Sequence, residues 1–165
     1  MTAIYDKLLD LAWRNFDFIF QSKNELENKA NMIFIANGVL LGLVLNGFNS
    51  LNILFAFGCI CFLIISSYYC VCVLQTKVYK ILGVSETWKA LETRQLLNDT
   101  DDAYEHLLGT IEGANNFNLK NYEKILESFK PALNMFLLGL LLLGLAIITP
   151  IVQQNWMIFT SLFSH

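Results

Sequence analysis

Charged side chains are absent from two long stretches of the chain, Ala30–Thr76 and Pro131–Ser164. All 11 Lys and Arg residues lie in the two remaining blocks, 1–29 and 77–130. A bilayer core needs about 20 apolar residues for each helical crossing, so uncharged stretches of this length exclude an ordinary soluble domain. The composition agrees, because 55% of the residues are hydrophobic, only 15% are charged, and the mean hydropathy is +0.49. We therefore predict an all-α integral membrane protein.

Residues that carry catalysis or bind metals are also scarce. His106 and His165 have no second His or Cys at ligand spacing, and the acidic group that begins at Asp99 lacks the glycine that a calcium loop needs. The sequence contains no recognisable nucleophile and base set and no glycine-rich phosphate loop. We accordingly predict no enzyme activity, no catalytic residues, no metal site and no cofactor.

The four cysteines form two C-x-C pairs within the second uncharged segment, Cys59 with Cys61 and Cys70 with Cys72. Residues two apart on a helix point about 200° away from each other, so neither pair can chelate one metal ion. Cysteine within lipid packs as a small apolar residue. The eleven-residue spacing between the pairs favours a helix–helix contact.

The uncharged stretches predict three membrane-spanning helices. Gly and Asn cluster at Asn46–Ser50, as they do in tight turns, and they separate Met32–Leu45 from Ile53–Leu74. Pro131 suits the first turn of a helix and is expected to open the third span, which is apolar through Leu133–Val152. The predicted organisation is a cytosolic amphipathic helix at 1–29, a transmembrane hairpin at 30–76, a cytosolic helical segment at 77–130, a third transmembrane helix at 131–152, and an interfacial tail at 153–165.

The charged blocks are predicted to form a helical layer close to the membrane, with no strands. In 1–29, apolar residues recur at three- and four-residue steps, which is typical of an amphipathic helix; they are Ile4, Leu8, Leu11, Ala12, Phe16, Ile19 and Phe20. No breaker precedes Met32, so this helix can continue into the first span. We further expect the second span to extend to Gly83, a helix over 85–97 capped by Ser85, and a loop and cap at Asn98–Asp102. In 102–130, a near-heptad series runs through Tyr104, Leu108, Ile111, Phe117 or Asn118, Tyr122, Ile125 and Phe129.

The positive charges predict the orientation of the spans, because Lys and Arg within about 15–20 residues of a span resist translocation. They flank only one end of each span: Arg14, Lys23 and Lys29; Lys77, Lys80, Lys89 and Arg94; Lys120, Lys124 and Lys130. The amino terminus and the 75–130 segment are therefore expected in the cytoplasm. The Asn46–Asn52 turn and the tail from Gln153 are expected outside.

Three positions stand out within the first span, namely Asn37, Gly38 and Gly42. The two glycines form a G-x-x-x-G step, which lets two helix backbones approach closely, and Asn37 is a polar group in an apolar helix that seeks a hydrogen-bond partner. Two interpretations stay open: an oligomer interface or pore wall, or packing within one chain, which we favour slightly for the glycines. Gly139 and Gly144 carry a weaker version of the same signal.

Two segments resemble a known family. The sequences ENKANMIFIANGVLLG, residues 27–42, and YEHLLGTIEGANNFNLKNYEKILESFKPALNMFLLGLLLLG, residues 104–144, resemble the Pycsar effector transmembrane family and related SLATT-type effectors. The resemblance covers about Asn15 to Ile148. It implies a small antiphage effector of the inner membrane that responds to a cyclic nucleotide second messenger and compromises membrane integrity as a homo-oligomer.

If the resemblance extends to ligand sensing, the cytosolic helices must bind the nucleotide. Lys23, Lys29, Lys120 and Lys124 are then candidates for phosphate binding, and Tyr122 or Phe117 for stacking on the base. The alternative is that these lysines only anchor the topology.

Two other classes of function remain open from the sequence. The chain could be an accessory or scaffold subunit that packs against a larger membrane protein, or a component of a small transporter. A transporter is expected to show internal repeats and a broken helix in mid-membrane, and the sequence shows neither. The expected partners are the lipid bilayer and further copies of the chain, and no nucleic acid.

Overall fold

The structure, a computed structural model, describes residues 2–75, Tyr79 and residues 100–163. These residues are almost entirely helical and include no strand, which confirms the all-α prediction for this part of the chain. The helices are α1 (Thr2–Gly47), a short 3-10 helix (Phe48–Ser50), α2 (Ile53–Leu74) and α3 (Thr100–Phe163). In these described residues, α1, α2 and α3 each contain a segment long and apolar enough to cross a membrane.

The chain divides into two compact units. Unit 1 consists of Met1–Leu26 and Thr76–Ile125, and unit 2 consists of Glu27–Gln75 and Leu126–His165. Helix α1 continues without a break past Met32, as expected from the absence of a helix-breaking residue before it. The expected continuation of the second span to Gly83 is wrong, because α2 ends at Leu74, Gln75 has a non-helical backbone, and Tyr79 is not helical either. The Ser85 cap and the helix over 85–97 lie outside the described residues.

A tight hairpin joins α1 to α2 in unit 2, where the Gly and Asn cluster predicted it. The hydroxyl of Ser50 donates to the carbonyl oxygen of Gly47 at 2.8 Å. The side chain of Asn52 caps α2 by accepting from the backbone N–H groups of Leu54 at 3.2 Å and Phe55 at 3.5 Å. Such a cap satisfies N–H groups that have no partner within the helix. The predicted span Ile53–Leu74 coincides with α2.

The expectation that Pro131 opens a separate helix is wrong. Helix α3 begins at Thr100 and runs through both Pro131 and Pro150 to Phe163, so residues 153–163 of the predicted tail continue it. A proline inside a helix has no N–H and leaves the carbonyl four residues earlier without its usual donor. Apolar helices tolerate this where a neighbouring segment supplies the missing donor. At Pro150 the freed carbonyl is that of Ala146, and it accepts the backbone N–H of Asn52 at 3.1 Å.

The buried positions of unit 2 follow a seven-residue repeat. On α2 they alternate at steps of three and four: Ala56, Cys59, Leu63, Ser66, Cys70 and Val73. On α3 they are spaced by seven: Ala132, Gly139 and Ala146. This is the period of coiled coils and of many membrane helix bundles. Most of these side chains are small, so the helix backbones can approach each other closely.

Unit 1 packs Phe16, Ile19 and Leu26 of α1 into its core, and α3 contributes Ile111, Ala114, Asn118 and Ile125. The heptad alternative between Phe117 and Asn118 resolves to Asn118, which is 1% exposed, whereas Phe117 is exposed. The predicted apolar face of α1 is wrong at Leu8 and Leu11, which are both exposed. The prediction is right at Phe16 and Ile19, which are buried, and the buried residue Leu26 extends this face along the helix.

Candidate functional site

A chain of two hydrogen bonds connects α1, α2 and α3 in the interior of unit 2. The amide nitrogen Nδ2 of Asn37 donates to the hydroxyl of Ser66 at 3.0 Å, and that hydroxyl donates to the carbonyl oxygen of Ala132 at 2.8 Å. Asn37 and Ser66 are both fully buried. The sequence singled out Asn37 but not Ser66. The sequence feature that indicates Ser66 is its position in the seven-residue repeat of α2, between Leu63 and Cys70.

The amide oxygen Oδ1 of Asn37 is also buried, and it has no hydrogen-bond partner among the described residues. A buried acceptor without a donor costs about 1–3 kcal/mol. The Ser66 hydroxyl cannot supply that donor, because its single proton is used by Ala132. Asn37 is therefore held in the interior by one hydrogen bond while half of its amide remains unsatisfied.

Gly38 and Gly42 make no packing contact with the described part of the chain. A Cβ placed on either residue would meet no atom within 4 Å of the described structure, and both residues are exposed. The slightly favoured interpretation, packing within one chain, is therefore wrong for these two glycines. Exposed residues at helical spacing continue the same surface, which we call the glycine face: Asn31, Ile35, Gly38, Gly42 and Asn46.

Other glycines provide the close contacts within unit 2. A Cβ on Gly139 would lie 2.9 Å from Cδ2 of Leu63, and a Cβ on Gly58 would lie 3.0 Å from Cδ1 of Leu142. Gly144, in contrast, has open space around it. The weaker signal at Gly139 thus marks a helix contact within unit 2, whereas the stronger signal at Gly38 and Gly42 marks none among the described residues.

The cysteines divide by burial as their eleven-residue spacing suggested. Cys59 and Cys70 are fully buried on the packed side of α2, whereas Cys61 is exposed and Cys72 is half-buried. All four are free thiols. In the described part of the chain, no group of three His, Cys, Asp or Glu side chains is arranged to hold a metal ion.

The predicted ligand-binding residues fall into both units. Lys29 lies in unit 2, and the other four lie in unit 1. The ammonium group of Lys23 lies 4.9 Å from the ring centroid of Tyr79 and 5.7 Å from that of Phe20, so aromatic rings already contact this cation. Lys120 and Lys124 are exposed on α3.

Helix geometry separates the two candidate stacking residues. Phe117 lies three residues before Lys120 and seven before Lys124, so all three share one exposed face of α3. Tyr122 lies two residues from each lysine, which places it on the other side of the helix, where it is half-buried. Phe117 therefore fits a shared site with Lys120 and Lys124 better than Tyr122 does.

Unit 1 contains a groove of about 390 Å³ between α1 and α3. It is lined by Asn15, Phe18, Ile19, Glu112, Asn115, Asn116 and Leu119. None of the five ligand-binding residues predicted from the sequence contributes to it. We call it the amide groove, because three of its side chains are carboxamides.

Acidic and phenolic groups pair at the start of α3 in unit 1. The rings of Tyr5 and Tyr104 stack with centroids 5.5 Å apart, and the Tyr104 hydroxyl donates to Oδ1 of Asp6 at 3.0 Å. That hydrogen bond, with the charge of Asp6, raises the pKa of Tyr104. Burial raises the pKa of Tyr5, and the carboxylates of Glu105, Asp101 and Asp102 raise it further. Negative charge thus predominates at this end of unit 1.

The three apolar helices and the polar link inside unit 2 fit the class of small helical membrane proteins. Comparison of the chain with protein-family models, with curated proteins and with solved structures gives no match.

Proposed function

We propose that the chain is a small membrane effector of a nucleotide-signalled antiphage defence system, which disrupts membrane integrity as a homo-oligomer when activated. Two observations support the proposal. The segments 27–42 and 104–144 resemble the Pycsar effector transmembrane family and SLATT-type effectors. The open glycine face supports the homo-oligomer, and it is the one structural observation on which that part of the proposal depends.

Glycine within a helix is unfavourable by about 1 kcal/mol relative to alanine. Inside a membrane bundle, a close contact between helices offsets that cost, as Gly139 and Gly58 illustrate. Gly38 and Gly42 make no such contact within the described chain. A second helix that packs on the glycine face would supply it, because no side chain there keeps the backbones apart.

The proposed location is the inner membrane, with the amino terminus in the cytoplasm and the carboxyl terminus outside. The distribution of Lys and Arg supports this orientation, because they flank only one end of each apolar segment. Under this topology unit 1 is cytoplasmic, and it is the place where a nucleotide would bind. Lys120, Lys124 and Phe117 are the favoured contacts, with Lys23, Lys29 and Tyr122 as the remaining candidates.

Isoleucine at the glycine face tests the homo-oligomer. We expect Gly38→Ile and Gly42→Ile to abolish both chemical cross-linking between copies and depolarisation of bacteria, as measured with a potential-sensitive dye in the presence of cyclic nucleotides. Gly144→Ile is the matched control, since Gly144 also has open space around it. Unchanged depolarisation in the glycine-face variants would contradict the proposal.

The same assay separates an effector from a scaffold. An effector depolarises cells without any other protein of its system except a source of nucleotide. A chain that leaves the potential intact and is degraded unless a larger membrane protein is co-expressed supports the scaffold alternative. Charge reversal at Lys120 and Lys124 then tests the sensor: a preserved nucleotide response excludes these two residues as ligand contacts.

A further inference from the structure

The amide groove has the size and the polarity of a ligand site. Its volume of about 390 Å³ lies within the range of about 300–1,000 Å³ that is typical of small-molecule sites. Apolar walls are supplied by Phe18, Ile19 and Leu119, and polar groups converge from one stretch of α3, Glu112, Asn115 and Asn116. A few polar groups within apolar walls are characteristic of sites that orient a small ligand.

Asn115 is fixed in a position that leaves an acceptor unused. Its Nδ2 donates to the backbone carbonyl oxygen of Ala12 at 3.1 Å. The orientation of the amide follows from this bond, because turning it over would place two oxygen atoms against each other. The other atom, Oδ1, is buried and has no hydrogen-bond partner among the described residues. Buried polar atoms of this kind usually have a partner, so a donor is expected from outside the described residues.

The charge around the groove favours a cation over an anion. Glu112 is exposed at the groove, and the lining contains no Lys or Arg. Acidic side chains outnumber basic ones among the described residues of unit 1: Asp6, Asp10, Asp17, Glu25, Asp101, Asp102, Glu105, Glu112 and Glu123, against Lys7, Arg14, Lys23, Lys120 and Lys124. At the groove itself, the carboxylate of Glu112 would repel a phosphate and attract a positive charge.

An aromatic ring completes the set of contacts. The side chain of Phe18 is 69% exposed at the groove, so its face is available to a ligand. Aromatic rings attract cations that lie within about 6 Å of the ring centroid, and unit 1 already shows this with Lys23 over Tyr79 at 4.9 Å. We propose that the amide groove binds a small organic cation, whose guanidinium or ammonium group contacts Glu112 and whose apolar stem packs on Phe18. This site is separate from the proposed nucleotide contacts and does not depend on them.

Titration calorimetry of the full chain in phosphatidylcholine nanodiscs tests this site. The probe is butylguanidinium, and the control ligand is butylurea, which has nearly the same shape but no charge. We expect butylguanidinium to bind and butylurea to bind at least about tenfold more weakly, because hydrogen bonds to charged groups are roughly twice as strong as neutral ones. Equal binding of the two ligands, or no binding of either, overturns the proposal.

Three variants assign the binding to the groove. Glu112→Gln should weaken butylguanidinium by about tenfold or more, whereas Glu123→Gln, the control at an exposed carboxylate outside the groove, should leave it unchanged. Asn116→Asp adds a second carboxylate to the lining and should tighten binding severalfold. An unchanged affinity in Glu112→Gln, or the same loss in both Gln variants, overturns the proposal even when the probe binds.

The natural cation could be a free metabolite or the ammonium headgroup of phosphatidylethanolamine. Both present the same chemistry, and nanodiscs that contain this lipid distinguish them. A loss of butylguanidinium affinity in those nanodiscs identifies the headgroup as the occupant. An unchanged affinity identifies a free cation, and both results support the site.

Discussion

Ser66 is the residue that connects all three helices in the interior of unit 2. Its one hydroxyl proton goes to Ala132 on α3, which leaves the oxygen free to accept from Asn37 on α1. Its neighbour Ser67 behaves differently, because the Ser67 hydroxyl donates to the carbonyl of Leu63 within α2 itself. Two adjacent serines thus differ in whether they connect helices.

Ser66→Ala should destabilise the folded chain by about 1–2 kcal/mol, since it removes the acceptor that Nδ2 of Asn37 contacts among the described residues. Ser67→Ala is the matched control and should change the stability by less than about 0.5 kcal/mol. The double variant Asn37→Leu with Ser66→Ala should recover most of the loss, because it also removes the buried amide. Equilibrium unfolding in mixed detergent micelles measures all three. Equal losses for the two single serine variants would contradict this account.

Tyr104 gives unit 1 a dependence on alkaline pH. Its pKa is raised above the ordinary 10.0, first by the hydrogen bond to Asp6 and then by the charge of Asp6. The folded state therefore holds the phenol proton more tightly than the unfolded chain does. The stabilisation is complete below about pH 10 and is lost as the pH rises through the raised pKa. We expect the thermal unfolding temperature to fall between pH 9 and pH 11, and Tyr104→Phe to reduce this fall. A fall of the same size in Tyr104→Phe would show that Asp6 and Tyr104 do not cause it.

The sequence identified Asn37 but could not identify its partner. A serine in an apolar segment can bond to its own helix, as Ser67 does. Ser66 differs from it by its place in the buried repeat of α2, and that repeat is recognised only when the packed side of α2 is known. The same limit applied to the glycines. The spacing of Gly38 and Gly42 indicates that a close contact is possible, but which surface faces a neighbour depends on where the other helices lie.

At the scale of elements, the sequence predicted the hairpin but not the continuation of α3 through its two prolines. The start of α2 followed from the Gly and Asn cluster at Asn46–Ser50, which is a local signal. The span Ile53–Leu74 has the bounds of α2, but the helix was expected to continue to Gly83 and ends at Leu74. Pro131 was expected to open a helix, yet α3 passes through it. The cost of a proline inside a helix depends on what receives the freed carbonyl, and at Pro150 that partner is the N–H of Asn52, which is distant in sequence.

Pro150→Ala should loosen the start of α2 while it strengthens α3. Alanine at this position supplies an N–H to the carbonyl of Ala146, which competes with the N–H of Asn52 for the same oxygen. Amide hydrogen exchange at Asn52 should therefore become faster, and exchange over the 146–152 turn slower. Leu145→Ala is a suitable control, because it changes an exposed side chain and leaves the carbonyl pattern intact. Unchanged exchange at Asn52 in Pro150→Ala would contradict the proposed role of Pro150.

For the whole molecule, the separation of charged and uncharged blocks is the main determinant of organisation. The chain forms one unit that contains most of both charged blocks and a second unit that consists mainly of uncharged sequence. This pattern was legible in the sequence because burial of a charge in lipid is strongly unfavourable. The sequence did not show that α1 and α3 are each divided between the two units, since each is a continuous helix with no break at the boundary.

The proposed orientation predicts opposite labelling of two introduced cysteines. With Cys61 and Cys72 changed to alanine and the buried Cys59 and Cys70 retained, a membrane-impermeant maleimide should label Asn49→Cys in intact cells. It should label Lys120→Cys only after the membrane is opened. Both positions are exposed in the structure, so burial does not explain a difference between them. Labelling of both in intact cells would overturn the orientation.

The small side chains along the interior of unit 2 determine how its stability should respond to temperature. Ala56, Ser66, Ala132, Gly139 and Ala146 expose little apolar surface when helices separate, and in a bilayer that surface meets lipid tails instead of water. The large heat-capacity change of soluble domains comes from the hydration of exposed apolar groups. Separation of these helices within a bilayer should therefore have an almost constant enthalpy, and the bundle should show no weakening on cooling.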